Sequence, residues 1–440
     1  MPLNEIAASL YAWDLADEGI EHILDVLTSR AEVNSAYLVG LMHKEKRPLH
    51  ARHYPHNPVR RYYVPEDSRA YWAPDPGKYQ RIKPLTTERD FLIGRDWLDE
   101  LTTAARARGL RTGCEISHTI IDAQYARDNL SDVLQRDVYG NIVGAFEAVE
   151  AQRALPCLNH PDVQEYLYGL FADVAANHDV DYVQTCLVLF GAGRDDGGTH
   201  SFGPTSWQQL LAVATGGCFC DSCRAKATEE GLDWDAVVHQ VKHLADLSRR
   251  IGLEELHERQ LLDESNYTES ALLVENEAFT AWLQFRKRSV NRLFALVREA
   301  LAASGRQVEF RYNTYMASPE RAGLDFASAF TYVDSVRESD YSDQLGTAEG
   351  VATKRAKLMK CRRALREDQQ LIAALGVRPN ATTQTLTDSV KAAVDAGADG
   401  LSLGHYDGAT MERLDAVRIG LRRWEGQERD WQALTEAPAE

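Results

Sequence analysis

Short, continuously apolar runs alternate with amphipathic stretches along most of the chain, and a repeated strand–helix pattern leaves few folds open. The first run, Ser9 to Leu15, ends in Trp13 and Asp14, and Asp17 and Glu18 open a helix through Leu27, where acidic residues suit the helix N-terminus. Ala36 to Leu41 is a second strand, buried on both faces by its composition. A helix from Asp96 to Arg108 leads to a third strand, Arg111 to His118, and a helix from Pro161 to Asn177 leads to a fourth, Asp179 to Phe190. Gln307 to Asn313 and Thr331 to Glu338 read as strands five and six. A helix over 351–366 precedes strand seven, Leu371 to Val377; a helix capped by Asp388 and ending at Asp395 precedes strand eight, Gly400 to Asp407. The helix Thr410 to Arg423 closes the set.

Eight such units predict an α/β fold, a (β/α)8 TIM barrel over residues 1–430 with a tail at 431–440. The rival is an open doubly wound sheet, for which no GxGxxG or P-loop supplies a nucleotide site. Two segments exceed what a barrel needs. Residues 42–94 form a long loop at the C-terminal face, rich in His, Tyr and Arg, with His53 among them. Aromatic faces edged by Arg and His suit a sugar, and a lid over the barrel mouth is the equal alternative. Residues 224–304 read as a charged helical insertion, which makes a homo-oligomer an expectation.

Between these lies Cys218-Phe219-Cys220-Asp221-Ser222-Cys223, behind Gly216 and Gly217. Three thiols at this spacing suit Zn²⁺, which takes four soft or borderline ligands at tetrahedral angles. Cys157, just ahead of the helix at Pro161, is the best fourth ligand. Four thiolates leave no open position, so the metal is expected to be structural.

This arrangement resembles the microbial β-galactosidases of glycoside hydrolase family 42. There a Cys-Pro-Asn segment precedes a helix, a strand follows, and a Cys-x-Cys-x-x-Cys cluster completes a structural zinc site. Cys157-Leu158-Asn159 and the Cys218–Cys223 cluster match it, over about residues 111–225. The resemblance implies a glycosidase-like barrel. It does not carry the reaction over: that family's acid/base glutamate ends strand four and its nucleophile ends strand seven. Here those places read Val183-Gln184-Thr185-Cys186-Leu187-Val188 and Val377-Arg378-Pro379-Asn380, with no carboxylate.

Barrel active sites lie at the C-terminal ends of the strands. Those ends supply Trp13, Asp14, His118, Tyr312, Asn313, Glu338, Asp340, Arg378, His405 and Asp407. Glycoside hydrolysis needs two carboxyl groups, about 5–5.5 Å apart for retention or about 6.5–9.5 Å apart for inversion. Glu338 or Asp340 is expected to supply one and Asp14, Asp195 or Asp407 the other, with His118 orienting or protonating the leaving group. The ordinary roles are an ion pair of Glu338 and Asp340 beside Arg337, and a helix cap for Asp14. Trp13, His53, Tyr312, Asn313, Arg378, His405 and Asp407 are the expected substrate contacts. The reading is therefore a glycoside hydrolase-like enzyme acting on a carbohydrate. The alternatives are an inactive barrel that binds a sugar or partner, and a carbohydrate lyase or isomerase using His118 and Tyr312.

The formal charge of −17 argues against nucleic acid or an anionic membrane as partner. No apolar stretch of about 18 residues spans a membrane. The N-terminus lacks a basic region followed by an apolar run, so a cytoplasmic location is expected.

Overall fold

The computed structural model describes residues 3–42, 54–117, 121–145, 153–187, 189–190, 216–250, 277–314 and 322–424. Eight parallel strands close into a ring: β1 (Glu5–Leu10), β2 (Ser35–Met42), β3 (Arg111–Ile116), β4 (Tyr182–Thr185), β5 (Glu309–Thr314), β6 (Ser335–Glu338), β7 (Gln370–Gly376) and β8 (Gly400–Gly404). Each pairs with the next, and β1 pairs with both β2 and β8, with Ala7 opposite Ser35 and Ser402. The helices that follow are α1 (Ile20–Ala31), α2 (Trp97–Ala107), α3 (Pro161–Asn177), α4 (Glu277–Ala302), α5 (Phe326–Ala329), α6 (Ala348–Ala364), α7 (Thr383–Asp395) and α8 (Met411–Trp424). This is the expected (β/α)8 barrel.

Several boundaries differ from expectation. The first strand is Glu5–Leu10, and the run that looked like strand continues as a short helix, Ala12–Glu18, so Trp13 and Asp14 stand on a helical turn above β1. Strand six begins only at Ser335, because Phe330–Tyr332 form a 3₁₀ turn. Strand eight ends at Gly404, and Tyr406–Gly408 turn back over it. Thr382, not Asp388, caps α7: its hydroxyl accepts from the Thr385 amide.

The pleat sorts side chains into two sets. Leu38, Ile116, Phe310, Val336 and Leu375 join the apolar layer beneath the helices. Inside the barrel, the floor is ionic. Arg311, with no exposed side-chain surface, places Nη1 and Nη2 each 2.9 Å from the Glu5 carboxylate and Nε 2.9 Å from Glu309, with its guanidinium 3.9 Å from the Tyr182 ring centre. Burial alone would raise the Glu309 pKa, but Arg311, Ser335 and Arg111 together pull it down to about 2. A buried charge set of this kind persists only because every member is paired.

Part of the long loop is built into the body. Arg69–Ala70 pair antiparallel with the end of β2. Trp72 Nε1 and Tyr79 Oη donate to Asp173 Oδ2 of α3 at 3.1 and 2.7 Å. These rings are core, not an open sugar platform. The described helices of the expected insertion are Asp221–Glu229, Trp234–Arg250 and α4.

Candidate functional site

The thiols meet. Sγ atoms of Cys157, Cys218, Cys220 and Cys223 all lie within 4.8 Å of one another, and all four residues are buried. A tetrahedral zinc with Zn–S near 2.3 Å needs sulfurs about 3.8 Å apart. The Cys157–Cys223 and Cys157–Cys220 separations are both 3.4 Å. Local structure explains the convergence: Cys157 ends just before α3, and Cys223 sits in the first turn of the helix Asp221–Glu229. The Arg136 amide, 3.5 Å from Cys218 Sγ, and Asn159 Nδ2, 3.3 Å from Cys223 Sγ, aim N–H groups at the sulfurs. Such donors stabilise thiolates. Hydrogen bonds from the other three hold Cys220 well below an ordinary thiol, while Cys157 and Cys223 are pushed up. Four packed thiols cannot all ionise unless a cation neutralises them, so the donor set fits a bound metal.

At the barrel mouth, strand phase decides which expected residues reach the interior. Arg337 points inward: Nε donates to Ser402 Oγ at 2.8 Å, Nη1 to Ser339 Oγ at 2.8 Å, and Nη2 to Tyr341 Oη. Glu338, the next residue, therefore faces outward, toward α6. Its Oε2 accepts from the Asp340 amide at 3.0 Å, and Oε1 is buried with no hydrogen-bond partner. Burial pushes its pKa up to about 7 despite Lys354. Asp340 pairs with Lys357 of α6. Burial opposes its ionisation, but Lys357 and Ser342 hold its carboxyl below the ordinary carboxylate range. The ion partners of this pair are thus lysines of α6 rather than Arg337. Tyr312 is also outward, its ring 4.9 Å from Phe294 of α4 and 6.3 Å from Phe330.

Asp14, His405, Asp407 and Arg378 gather around the ends of β1, β7 and β8. Asp14 is fully buried; its Oδ2 accepts from the Tyr11 amide at 2.9 Å and its Oδ1 has no partner. Burial, then the nearby charge of Asp407, raises its pKa well above the ordinary range. Asp14 does not cap the following helix, whose N-cap is Gly19; it is the third residue of the helix Ala12–Glu18 and accepts from the amide of that helix's N-cap, Tyr11. His405 Nδ1 lies 2.7 Å from Ser9 Oγ, and its ring stacks on Tyr11, which stacks on Trp13. Asn313 is inward with Oδ1 buried and unpartnered. His118 and His53, like Asp195, lie outside the described residues.

The mouth also contains residues the strand-end reading passed over. Glu115 of β3 accepts from Gln184 Nε2 of β4 at 2.6 Å and lies near Arg337 and Tyr37 within the barrel. Glu18 accepts from His56 Nδ1 at 2.9 Å and from Tyr406 Oη at 3.1 Å. Alternation from Arg111 and Gly113 would have put Glu115 inward; nothing local marked Gln184 as its partner.

Several solved structures resemble this chain. An α-L-fucosidase (isoenzyme 2) from Paenibacillus thiaminolyticus superposes with a TM-score of 0.55 at 12% identity, over 97% of this chain and 49% of that one. A β-galactosidase from Rahnella sp. R3 gives 0.49 at 12% identity, over 95% and 55%. An endo-1,4-β-mannanase from Rhizomucor miehei gives 0.48 at 7%, over 96% of each chain. The chain spans about half the length of the first two. No family model matches the sequence, and no curated protein matches it. The likeness to the fucosidase, at 12% identity, shows the fold alone. Among the described residues no helix is long and apolar enough to cross a membrane.

Proposed function

We propose that this chain is a glycoside hydrolase-like enzyme acting on a carbohydrate, with Asp14 and Asp407 as its carboxyl pair. The observation that carries the reading is the nearness of these two buried acids at the β1–β8 end of the mouth, close enough for the charge of Asp407 to raise the Asp14 carboxyl. A carboxyl raised by burial and by a neighbouring acid suits the proton donor of an acid/base pair. Asp14, held neutral by burial and by the charge beside it, carries the proton for the leaving oxygen. Asp407 is the partner that acts as nucleophile or activates water. Its carboxylate has no ion pair with any described cation. His405, braced by Ser9 and Tyr11, and the inward Asn313 supply polar contacts for sugar hydroxyls.

Cys157, Cys218, Cys220 and Cys223 are proposed to hold a structural Zn²⁺, joining the start of α3 to the loop before the helix Asp221–Glu229. With four thiolate ligands it supplies cross-linking and no reactive position.

A panel of aryl glycosides tests the reading. Turnover that collapses in both Asp14→Asn and Asp407→Asn supports it; no turnover of any glycoside, or an unimpaired Asp407→Asn enzyme, defeats it. A second reading, a barrel that binds a sugar without hydrolysing it, is favoured by the engagement of Asp14 with the Tyr11 amide in the first turn of its helix. It predicts ligand stabilisation with no product.

A further inference from the structure

Arg378 follows β7 in phase with the inward residues Ile372, Ala374 and Gly376, and its side chain packs against Gly408, in the turn that carries Asp407. A Cβ at Gly408 would stand 3.4 Å from Arg378 Cγ, so the missing side chain there gives the arginine stem its place. The residue is only 9% exposed. Other buried arginines of the barrel have partners: Arg311 is held by Glu5 and Glu309, Arg337 by Ser402, Ser339 and Tyr341. Arg378 makes no hydrogen bond or ion pair with any described residue, and Asp407 does not reach it. A guanidinium cannot shed its proton, so an unpaired one at the barrel mouth keeps its charge and its donors for an anionic ligand. In a chain of net charge −17, carboxylates to neutralise it are abundant, yet none is placed there.

We propose that Arg378 receives an anionic oxygen group of the substrate, so that the sugar accepted at this mouth is acidic, bearing a carboxylate or a phosphate. Either group matches the planar fork of the guanidinium, which binds two oxygens at once. The inference rests on the carbohydrate reading above and adds the substrate class. The Arg378 contact fixes the sugar beside Asp407, with the anionic end toward β7 and the reacting end toward β1.

Thermal unfolding of the wild type, Arg378→Met and Arg378→Lys tests it, with glucose, galactose, glucuronate, galacturonate, glucose 6-phosphate and inorganic phosphate as probes. The expected result is a Tm rise of roughly 3 °C or more with a uronate or the sugar phosphate at saturation, and none with the neutral parents. Arg378→Met loses that rise and Arg378→Lys keeps part of it, as a point charge would. A uronate response over a phosphate response, or the reverse, identifies the group. Equal stabilisation by neutral and acidic sugars, unchanged in Arg378→Met, overturns the inference and leaves the carbohydrate reading standing. Stabilisation by inorganic phosphate as strong as by the sugar phosphate, with no response to uronates, overturns the sugar reading instead. A flat panel overturns both.

Discussion

Cys157 Sγ and Cys223 Sγ lie 3.4 Å apart across 66 positions of sequence, one ahead of α3 and the other in the first turn of the helix Asp221–Glu229. Nothing but the packing of these two helical starts brings them together, so a metal held there ties folding to metal binding. The chain is expected to carry about one zinc per molecule by elemental analysis. Cys220→Ser should lose the metal and lower Tm by several degrees, and a strong chelator should reproduce that shift in the wild type. Full stability in a metal-free wild type would sink the assignment.

Glu338 makes stability depend on pH in a definite direction. Its folded pKa is raised by burial from 4.5 to about 7. Below about pH 4.5 both folded and unfolded chains carry the proton, and its contribution is fully present; it is lost as pH rises through about 7. At about 1.4 kcal/mol per pH unit, that interval amounts to roughly 3 kcal/mol. Asp340 acts with the opposite sign, at the low end of the carboxylate range, because its folded pKa is lowered. Glu338→Gln should therefore remove most of the fall between pH 5 and 7. Urea unfolding at a series of pH values reads this out, and parallel curves for variant and wild type would refute it.

Lys354 of α6 has no exposed side-chain surface, and neither has Asp343, 3.4 Å away. Its ammonium also donates to the Asp340 and Ala374 carbonyls, so one lysine ties α6 to the ends of β6 and β7. Lys354→Met leaves Asp343 buried and uncompensated beside two orphaned carbonyls. Removing one partner of such a pair costs about 3–5 kcal/mol. The urea midpoint should fall accordingly with the m-value unchanged. A loss below about 1 kcal/mol would mean that water reaches the site.

Asp407→Asn keeps the shape of the mouth and removes one charge. If Asp407 is the nucleophile or base of the pair, kcat on a glycoside substrate falls by roughly 10²–10⁴ with KM little changed. The same substitution should bring the Asp14 pKa down, because a charge that raises it is gone. The acid limb of the pH–rate profile is the second readout, and an unmoved profile would argue against the coupling.

The order of strands and helices was written in the sequence because periodicity is local: an apolar run followed by a helix stripe reads the same whatever it packs against. The thiol set was legible too, since three of its members share six residues and the fourth precedes a helix. Strand phase was not. These strands are buried on both faces, and a slip of one position exchanges every inward residue for an outward one. Thus Glu338 ends its strand, Tyr312 lies two residues short of the end of its own, and both still turn toward the helices, while Arg337, Glu115 and Gln184 fill the interior. The first strand was misplaced for a related reason. Glu5 looks like a polar terminus until Arg311, 306 positions away, makes it part of the barrel floor. The nearness of Asp14 to Asp407, and the absence of a partner for Arg378, also belong to the tertiary structure alone. Pairing, desolvation and proximity are properties of the closed barrel, in which the first strand meets the last, and no window of sequence contains both.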